Sequence, residues 1–180
     1  MRHAKHVLRI AGAIVVVSFG VIAAAACDDD EVTLLSIEEY FARTEAIEED
    51  ADRRADDLGR EVDLTLVGDL VLDDERRDAL MDGYRQFSGI LDEFVRDLRA
   101  LDPPAEASDA HGEYIDAVEE LGDAFDALAE RVADADSLDD ALGLFGAVQA
   151  PADAAEAACL RLERVAKDND IDADLECGDD

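Results

Sequence analysis

The clearest periodicity in the sequence lies in residues 80–101, LMDGYRQFSGILDEFVRDLRAL. Apolar residues recur there at alternating intervals of four and three positions: Leu80, Tyr84, Phe87, Leu91, Phe94, Leu98 and Leu101. This spacing places them on one face of an α-helix and forms a heptad seam, the pattern of helices that pack side by side. The segment therefore predicts an amphipathic helix that buries one face against other helices.

The residues that follow predict a second helix of the same kind. Asp102-Pro103-Pro104 stops the first helix. We expect Asp102 to cap the next helix and Pro103 to occupy its first position, where a missing amide hydrogen does no harm. The helical spacing of apolar residues then resumes, and the helix should end near Asp136. Its inward residues are Ala107, His111, Tyr114, Val118, Leu121, Phe125, Leu128 and Val132.

A third helix is predicted before this pair. Ser36-Ile37-Glu38-Glu39 forms a capping box, in which a hydroxyl and a carboxylate satisfy amide donors of the first turn. An apolar face follows at near-helical spacing: Ile37, Phe41, Ile47, Ala51, Ala55, Leu58 and Val62. Residues 62–72 alternate like a short hairpin around Gly68, but they also continue the helical spacing. Because an isolated hairpin is marginal in water, we favour a helix to about Leu66 and then a packed loop.

A fourth helix is predicted after the second seam, with Ser137 as its cap. Its first half should point inward with Leu138, Leu142, Phe145 and Val148. A proline inside a helix costs roughly 3 kcal/mol, so we expect a kink or a restart at Ala150-Pro151. The pattern then resumes through Ala155, Cys159, Leu162 and Ala166.

Four amphipathic helices joined by short loops predict an all-α fold. The economical arrangement is an antiparallel up-down-up-down four-helix bundle with heptad seams over residues 36–180, preceded by an N-terminal signal or lipoprotein helix. The same seams also suit a dimeric coiled coil between two chains. The proline breaks and short loops favour folding back within one chain.

The N-terminus has the features of an export signal. Arg2, Lys5 and Arg9 precede Ile10–Ala26, which carries no charge. A basic segment followed by an apolar one is typical of a signal peptide, here residues 1–26. Its length is marginal for a membrane span, which needs about 20 apolar residues, so an uncleaved anchor is the alternative. The basic residues hold the N-terminus in the cytoplasm, and the rest of the chain should face the extracytoplasmic side.

Ala24-Ala25-Ala26-Cys27 resembles a bacterial lipobox, in which small residues precede a lipid-modified cysteine. The resemblance implies that Cys27 is lipidated and becomes the mature N-terminus, anchored in the cell membrane. Ala24 stands where most lipoboxes have Leu. Cleavage by the ordinary signal peptidase is the alternative, because Ala24 and Ala26 suit that enzyme too. Residues 27–35 would then form an acidic tether.

The mature chain is strongly acidic. The whole sequence holds 16 Lys and Arg against 48 Asp and Glu, and removing the three basic residues of the signal leaves a net charge of −35. Repulsion from phosphates excludes nucleic acid as a partner. The charge favours cations, basic proteins or simple solubility.

Cys159 and Cys177 are the cysteines that remain beside Cys27. An extracytoplasmic compartment permits a disulfide between them, which would hold the tail on the fourth helix with Ile171 and Leu175 as apolar anchors. The alternative is two free thiols.

The tail over residues 168–179 also has oxygen ligands at alternate positions, as in a calcium loop: Asp168, Asp170, Asp172 and Asp174. Ala173 replaces the glycine of the sharp turn, Asp179 replaces the final Glu, and no exit helix follows. We therefore favour an acidic, solvated tail over a metal site.

No catalytic motif is evident. The histidine that remains after the signal, His111, has Ser108 where a di-iron helix would carry Glu, so we expect a buried core histidine. The sequence lacks a glycine-rich phosphate loop, a Cys-x-x-Cys pair and a His-Glu-x-x-His motif. We expect no enzyme and no cofactor.

Three features of the C-terminal half resemble a group of uncharacterised bacterial helical lipoproteins: Leu101-Asp102-Pro103-Pro104, then His111, then Cys159 with Asp174-Leu175-Glu176-Cys177. The group has no assigned activity, so the resemblance implies an architecture alone. We expect a membrane-tethered lipoprotein that serves as a non-enzymatic interaction or structural module of the cell envelope, with the lipid bilayer and an envelope protein as partners. The alternative is an extracytoplasmic ligand- or cation-binding protein that uses the tail 168–179 or the bundle interior.

Overall fold

The computed structural model describes residues 35–66, 72–175 and 177. These residues form five α-helices: α1 Ile37–Leu66, α2 Asp74–Arg99, α3 Ser108–Val132, α4 Leu138–Gly143 and α5 Gln149–Asp168. A 3-10 helix, Leu144–Ala147, joins α4 to α5. The described residues contain no strand, so the predicted all-helical class is confirmed.

The predicted export signal lies outside the described residues, together with Cys27 and the tether up to residue 34. None of the helices that the structure does describe has the length and hydropathy of a membrane span.

Side chains cap three of the helices. The amide of Glu39 donates to Ser36 Oγ at 3.2 Å, and the amide of Asp140 donates to Ser137 Oγ at 3.1 Å, as the sequence predicts. Asp73 caps α2 in the same way, accepting from the amide of Arg76 at 2.9 Å. Each cap satisfies a first-turn amide that has no partner within its helix.

The predicted start of α3 is wrong. The helix begins at Ser108, five residues after Pro103, and its N-cap Ala107 offers no side-chain acceptor. The amides of Ala107 and Ser108 instead donate to the carbonyl of Pro104, at 3.0 and 3.1 Å. A residue before proline is pushed out of the helical region, and both Asp102 and Pro103 precede a proline. The helix therefore begins only beyond the tandem prolines.

The predicted fourth helix is broken earlier than expected. A restart is present at Gln149, so that Pro151 occupies the third position of α5, where its missing amide disrupts no helical bond. Val148 is buried as predicted, but Leu142 and Phe145 are 53% and 48% exposed, so their inward assignment is wrong. That assignment assumed one continuous α-helix, whereas the intervening 3-10 helix has 3.0 residues per turn and changes the direction of successive side chains.

The core lies between the long helices. α2 packs against α1 and α3, and α3 packs against α5. One apolar cluster draws on α1, α2, α3, α5 and the tail, and its large members include Phe41, Leu98 and Leu162. A second cluster lies toward the α4 end and contains Phe125 and Leu128. The heptad seams of α2 and α3 supply much of both clusters, as their spacing predicts.

The tail turns back on α5 at Asp170, whose φ is 58°. The amide of Ile171 donates to the carbonyl of Ala166 at 2.9 Å, and the amide of Asp170 donates to that of Lys167 at 3.2 Å. This pair of bonds is a Schellman motif, with Asp in the left-handed position that glycine usually occupies.

Beyond this turn the tail joins the core. Ala173 and Leu175 are buried, and Ile171 packs at the edge of the same cluster. The expectation of a solvated tail is therefore wrong for these apolar residues, while their anchoring role is as predicted. The intervening residues Asp170, Asp172 and Asp174 are exposed. The alternation that resembles a calcium loop is the two-sided pattern of an extended segment with one face on the core.

Candidate functional site

A row of polar residues lies on the buried face of α1. Tyr40, Thr44 and Glu48 follow one another at intervals of four, which places them one above the other on the same helix face. Tyr40 and Thr44 are fully buried and Glu48 is only 7% exposed. They face His111 and Tyr114 of α3, which are also buried. We call these five residues the polar row.

Two hydrogen bonds join α1 to α3 within the polar row. The hydroxyl of Tyr40 lies 2.9 Å from Nδ1 of His111, and the hydroxyl of Tyr114 donates to Oε1 of Glu48 at 2.8 Å. Thr44 Oγ1 donates to the carbonyl of Tyr40 at 3.0 Å and so stays within its own helix. Buried polar groups that find partners in this way fix the relative position of the two helices.

Burial favours the neutral forms of Tyr40, Tyr114 and His111. It raises the pKa of Tyr40 to about 12, with the charge of Glu48 adding to the effect. The pKa of Tyr114 is raised well above its ordinary value by burial first and then by the charge and hydrogen bond of Glu48. Burial lowers the pKa of His111. At neutral pH both hydroxyls therefore carry a proton and the imidazole is uncharged.

We expect the stability of the protein to depend on His111 below neutral pH. A histidine whose pKa is lowered in the folded state binds fewer protons there than in the unfolded state. The contribution of His111 to stability is present above its ordinary pKa, near 6.5. It is lost as pH falls through the pKa that His111 has in the folded state. The measurement is urea unfolding of the wild type and of His111→Gln at pH 7.5, 6.5 and 5.5. The wild type should lose stability relative to the variant as pH falls, and a constant difference between them would contradict the prediction.

A cavity of about 290 Å³ lies beside the polar row, among α1, α2, α3, α5 and the tail. We call it the inner cavity. Its walls are mainly apolar: Leu91, Phe94, Val118, Leu121, Ala155 and Leu175. Three carboxylates also line it, from Glu48, Asp52 and Glu156. The cavity thus combines an apolar interior with negative charge.

The disulfide between Cys159 and Cys177 is present and forms part of the cavity wall. The two Cα atoms are 5.4 Å apart. Sγ of Cys159 lies 3.8 Å from Oε1 of Glu48, so the bridge, the polar row and the cavity meet at one place. The backbone amide of Asp174 donates to Oε1 of Glu45 at 2.8 Å and holds the tail against α1.

An acidic cleft of about 430 Å³ adjoins the inner cavity, since Glu48 and Asp52 line both. The cleft residues are Glu45, Glu48, Glu49, Asp52, Arg53, Asp56 and Asp174. Arg53 pairs with Asp50, which leaves the cleft strongly negative.

A separate apolar groove of about 280 Å³ lies between α1, α2 and α3 near the 3-10 helix. Its ten described residues include no charged side chain: Ala55, Leu58, Gly59, Val62, Leu80, Gly83, Tyr84, Phe87, Phe125 and Phe145. Phe145 is half exposed and its ring centroid lies 6.2 Å from that of Phe125. We refer to this surface as the apolar groove.

The structure does not bring all of the candidate site residues predicted from the sequence into one site. His111 is buried as predicted and belongs to the polar row. Within the described ranges, no three His, Cys, Asp or Glu side chains are placed to hold a metal ion, so the structure does not gather the tail candidates Asp168, Asp170, Asp172 and Asp174 into a site. Tyr40, Thr44 and Glu48 are spaced by four in the sequence, but the apolar pattern of α1 alone does not mark them as buried.

Comparison with known proteins finds no family model, curated protein or solved structure that matches this chain.

Proposed function

We propose that the chain is a lipoprotein anchored through Cys27, which holds a non-enzymatic interaction domain on the extracytoplasmic side of the cell membrane. The domain is an up-down-up-down four-helix bundle with heptad seams, in which α4 and α5 together supply the fourth helix. The apolar groove is the observation that carries this proposal, because its described lining holds no charged side chain and suits the apolar face of a partner protein.

The anchor and its location rest on the sequence and on one structural feature. Arg2, Lys5 and Arg9, the uncharged run and Cys27 have the order of a lipoprotein export signal. The disulfide between Cys159 and Cys177 supports an oxidising compartment, because such bonds are rare in the cytosol.

The chemistry of the groove selects a helical partner with a basic surface. The lining of the groove is apolar, and Phe145 offers an exposed ring at its edge. A groove between helices suits the apolar face of an amphipathic helix. The net charge of −35 favours Lys and Arg on the other face of that helix and disfavours a second copy of this acidic chain.

A peptide-binding experiment tests the groove. The probe is a synthetic amphipathic Leu/Lys helix, with a scrambled peptide of the same composition as its reference. We expect the full-length protein to bind the amphipathic peptide about tenfold more tightly, because both peptides carry the same charge and only one has an apolar face. Equal affinity for the two peptides would show that binding is charge attraction alone and would overturn the proposal.

Two matched glycine variants locate the binding. A Cβ at Gly59, in the groove, or at Gly112, outside it, would meet no atom within 4 Å, so each position has room for a side chain to begin; circular dichroism checks that both variants fold. Gly59→Glu should weaken binding of the amphipathic peptide about tenfold, since it places a charge in the apolar groove. Gly112→Glu adds the same charge elsewhere and should leave binding unchanged. Equal effects of the two variants would contradict the assignment of the groove.

Intact mass of the protein extracted from membranes tests the anchor separately. We expect a chain that begins at Cys27 and carries added acyl mass. A chain without residues 1–26 and without lipid, or an uncleaved chain, would overturn lipidation while leaving the groove proposal to its own test.

A further inference from the structure

We propose that the inner cavity binds a small hydrophobic amine, with its ammonium group at Glu48 and Asp52 and its apolar body between α2, α3 and the tail. This site is distinct from the apolar groove and is independent of the proposed partner protein.

The size and walls of the cavity suit a small organic molecule. Its volume of about 290 Å³ is just below the range typical of drug-sized ligands, roughly 300–1,000 Å³, and so suits a smaller molecule. Phe94, Val118 and Leu175 are buried wall residues that come from three different parts of the fold. A ligand with an apolar body would cover these side chains and displace water from them.

The charges of the cavity select a cation. Glu48, Asp52 and Glu156 line it, and none of the described lining residues is Lys or Arg. The Tyr114 hydroxyl donates to one oxygen of Glu48 and so orients the carboxylate. A carboxylate attracts a cation more strongly in an apolar surrounding than in water, so an amine is favoured here over a neutral or acidic molecule of the same shape.

The same features disfavour a bare metal ion. Calcium takes six to eight oxygen ligands, and the described residues contain no group of three or more acidic or other ligating side chains placed around one point. An alkylammonium group needs only a few acceptors and tolerates aromatic neighbours. The rings of Phe94 and Tyr114, whose centroids are 5.8 Å apart, provide such neighbours.

The acidic cleft supplies an approach to the site. Glu48 and Asp52 line both the cleft and the cavity, so the negative surface is continuous with the apolar interior. A cleft lined by one sign of charge raises the local concentration of ligands of the opposite sign. An amine would therefore be concentrated at the entrance before its apolar body is buried.

Calorimetry on the full-length protein in lipid nanodiscs tests the proposal, with the heat from empty nanodiscs subtracted. The probes are phenethylamine, its neutral analogue phenethyl alcohol, and calcium chloride. We expect saturable binding of phenethylamine that is about tenfold tighter than binding of the alcohol. Absence of saturable amine binding up to roughly 10 mM, or equal affinities for amine and alcohol, would overturn the proposal. Competition of calcium with the amine at equal concentration would also overturn the proposal.

Matched variants place the binding at the cavity. Glu48→Gln should weaken phenethylamine binding about tenfold, whereas Glu120→Gln, an exposed site on α3 outside the cavity, should leave it unchanged. If Glu48→Gln does not fold, Ala152→Phe takes its place as a variant that obstructs the cavity. Ala157→Phe, at an exposed position on α5, is the control for that substitution. Equal effects of a cavity variant and its control would overturn the assignment. Gly59→Glu should retain amine binding, which separates this site from the apolar groove.

Discussion

Loss of the disulfide between Cys159 and Cys177 is expected to lower the free energy of unfolding by about 3 kcal/mol. The bridge closes a loop with a sequence separation of 18 and so restricts the unfolded chain. It also holds Ala173 and Leu175 in the core, where both are buried. The tail should therefore detach more readily once the bridge is gone.

Urea unfolding of Cys159→Ala/Cys177→Ala against the wild type measures this effect. Leu175→Ala in the oxidised protein is the control, because it removes a packing contact and keeps the covalent link. Hydrogen exchange should show faster exchange in residues 171–175 of the double variant. A loss of stability below about 1 kcal/mol, with the tail still protected, would contradict the prediction.

The same variant connects stability to the proposed ligand site. Leu175 and Cys177 line the inner cavity, so release of the tail removes part of its wall. Phenethylamine binding should weaken in the double cysteine variant even where the helices remain folded.

Tyr114→Phe is expected to lower the free energy of unfolding by about 1.5–3 kcal/mol, the range for a hydrogen bond to a charged group. The variant removes the hydroxyl that donates to Oε1 of Glu48 at 2.8 Å, while the ring remains in place against Phe94. Glu48 is only 7% exposed, so water replaces the lost donor poorly.

Tyr84→Phe is the matched control for this experiment. It is the same chemical change on α2, at a half-buried ring whose hydroxyl makes no hydrogen bond to the described residues. We expect a change within about 0.5 kcal/mol for the control. In the background of Glu48→Gln, Tyr114→Phe should cost only about 0.5–1.5 kcal/mol, because the acceptor is then neutral. Equal costs in both backgrounds would show that the charge of Glu48 does not matter.

Local features of the sequence predicted the helices well. In the seam from Leu80 to Leu101 three residues are buried and the other four are half-buried, and Ser36 and Ser137 cap the helices that they precede. The end of α1 at Leu66 also agrees with the prediction. Such signals act within one or two turns, so a single segment contains all the information that they need.

The sequence predictions for the start of α3 and for the segment before α5 are wrong because each applied one local rule to a segment in which a different conformation forms. Pro103 fits the first position of a helix, yet Pro104 directly after it prevents that helix from starting there. Leu142 and Phe145 fit an α-helical face, yet the chain between α4 and α5 is a 3-10 helix. Pro104 is visible in the sequence, whereas the 3-10 helix at residues 144–147 is known only from the structure.

The sequence by itself thus determined the all-helical class, the faces of α2 and α3, and the acidity of the chain. Only the tertiary structure decided the polar row and the inner cavity. Tyr40 and His111 are 71 positions apart, and Glu48 and Tyr114 are 66 apart. Their hydrogen bonds exist only because packing sets the axial position of α1 against α3, and side-chain spacing within one helix carries no information about that position.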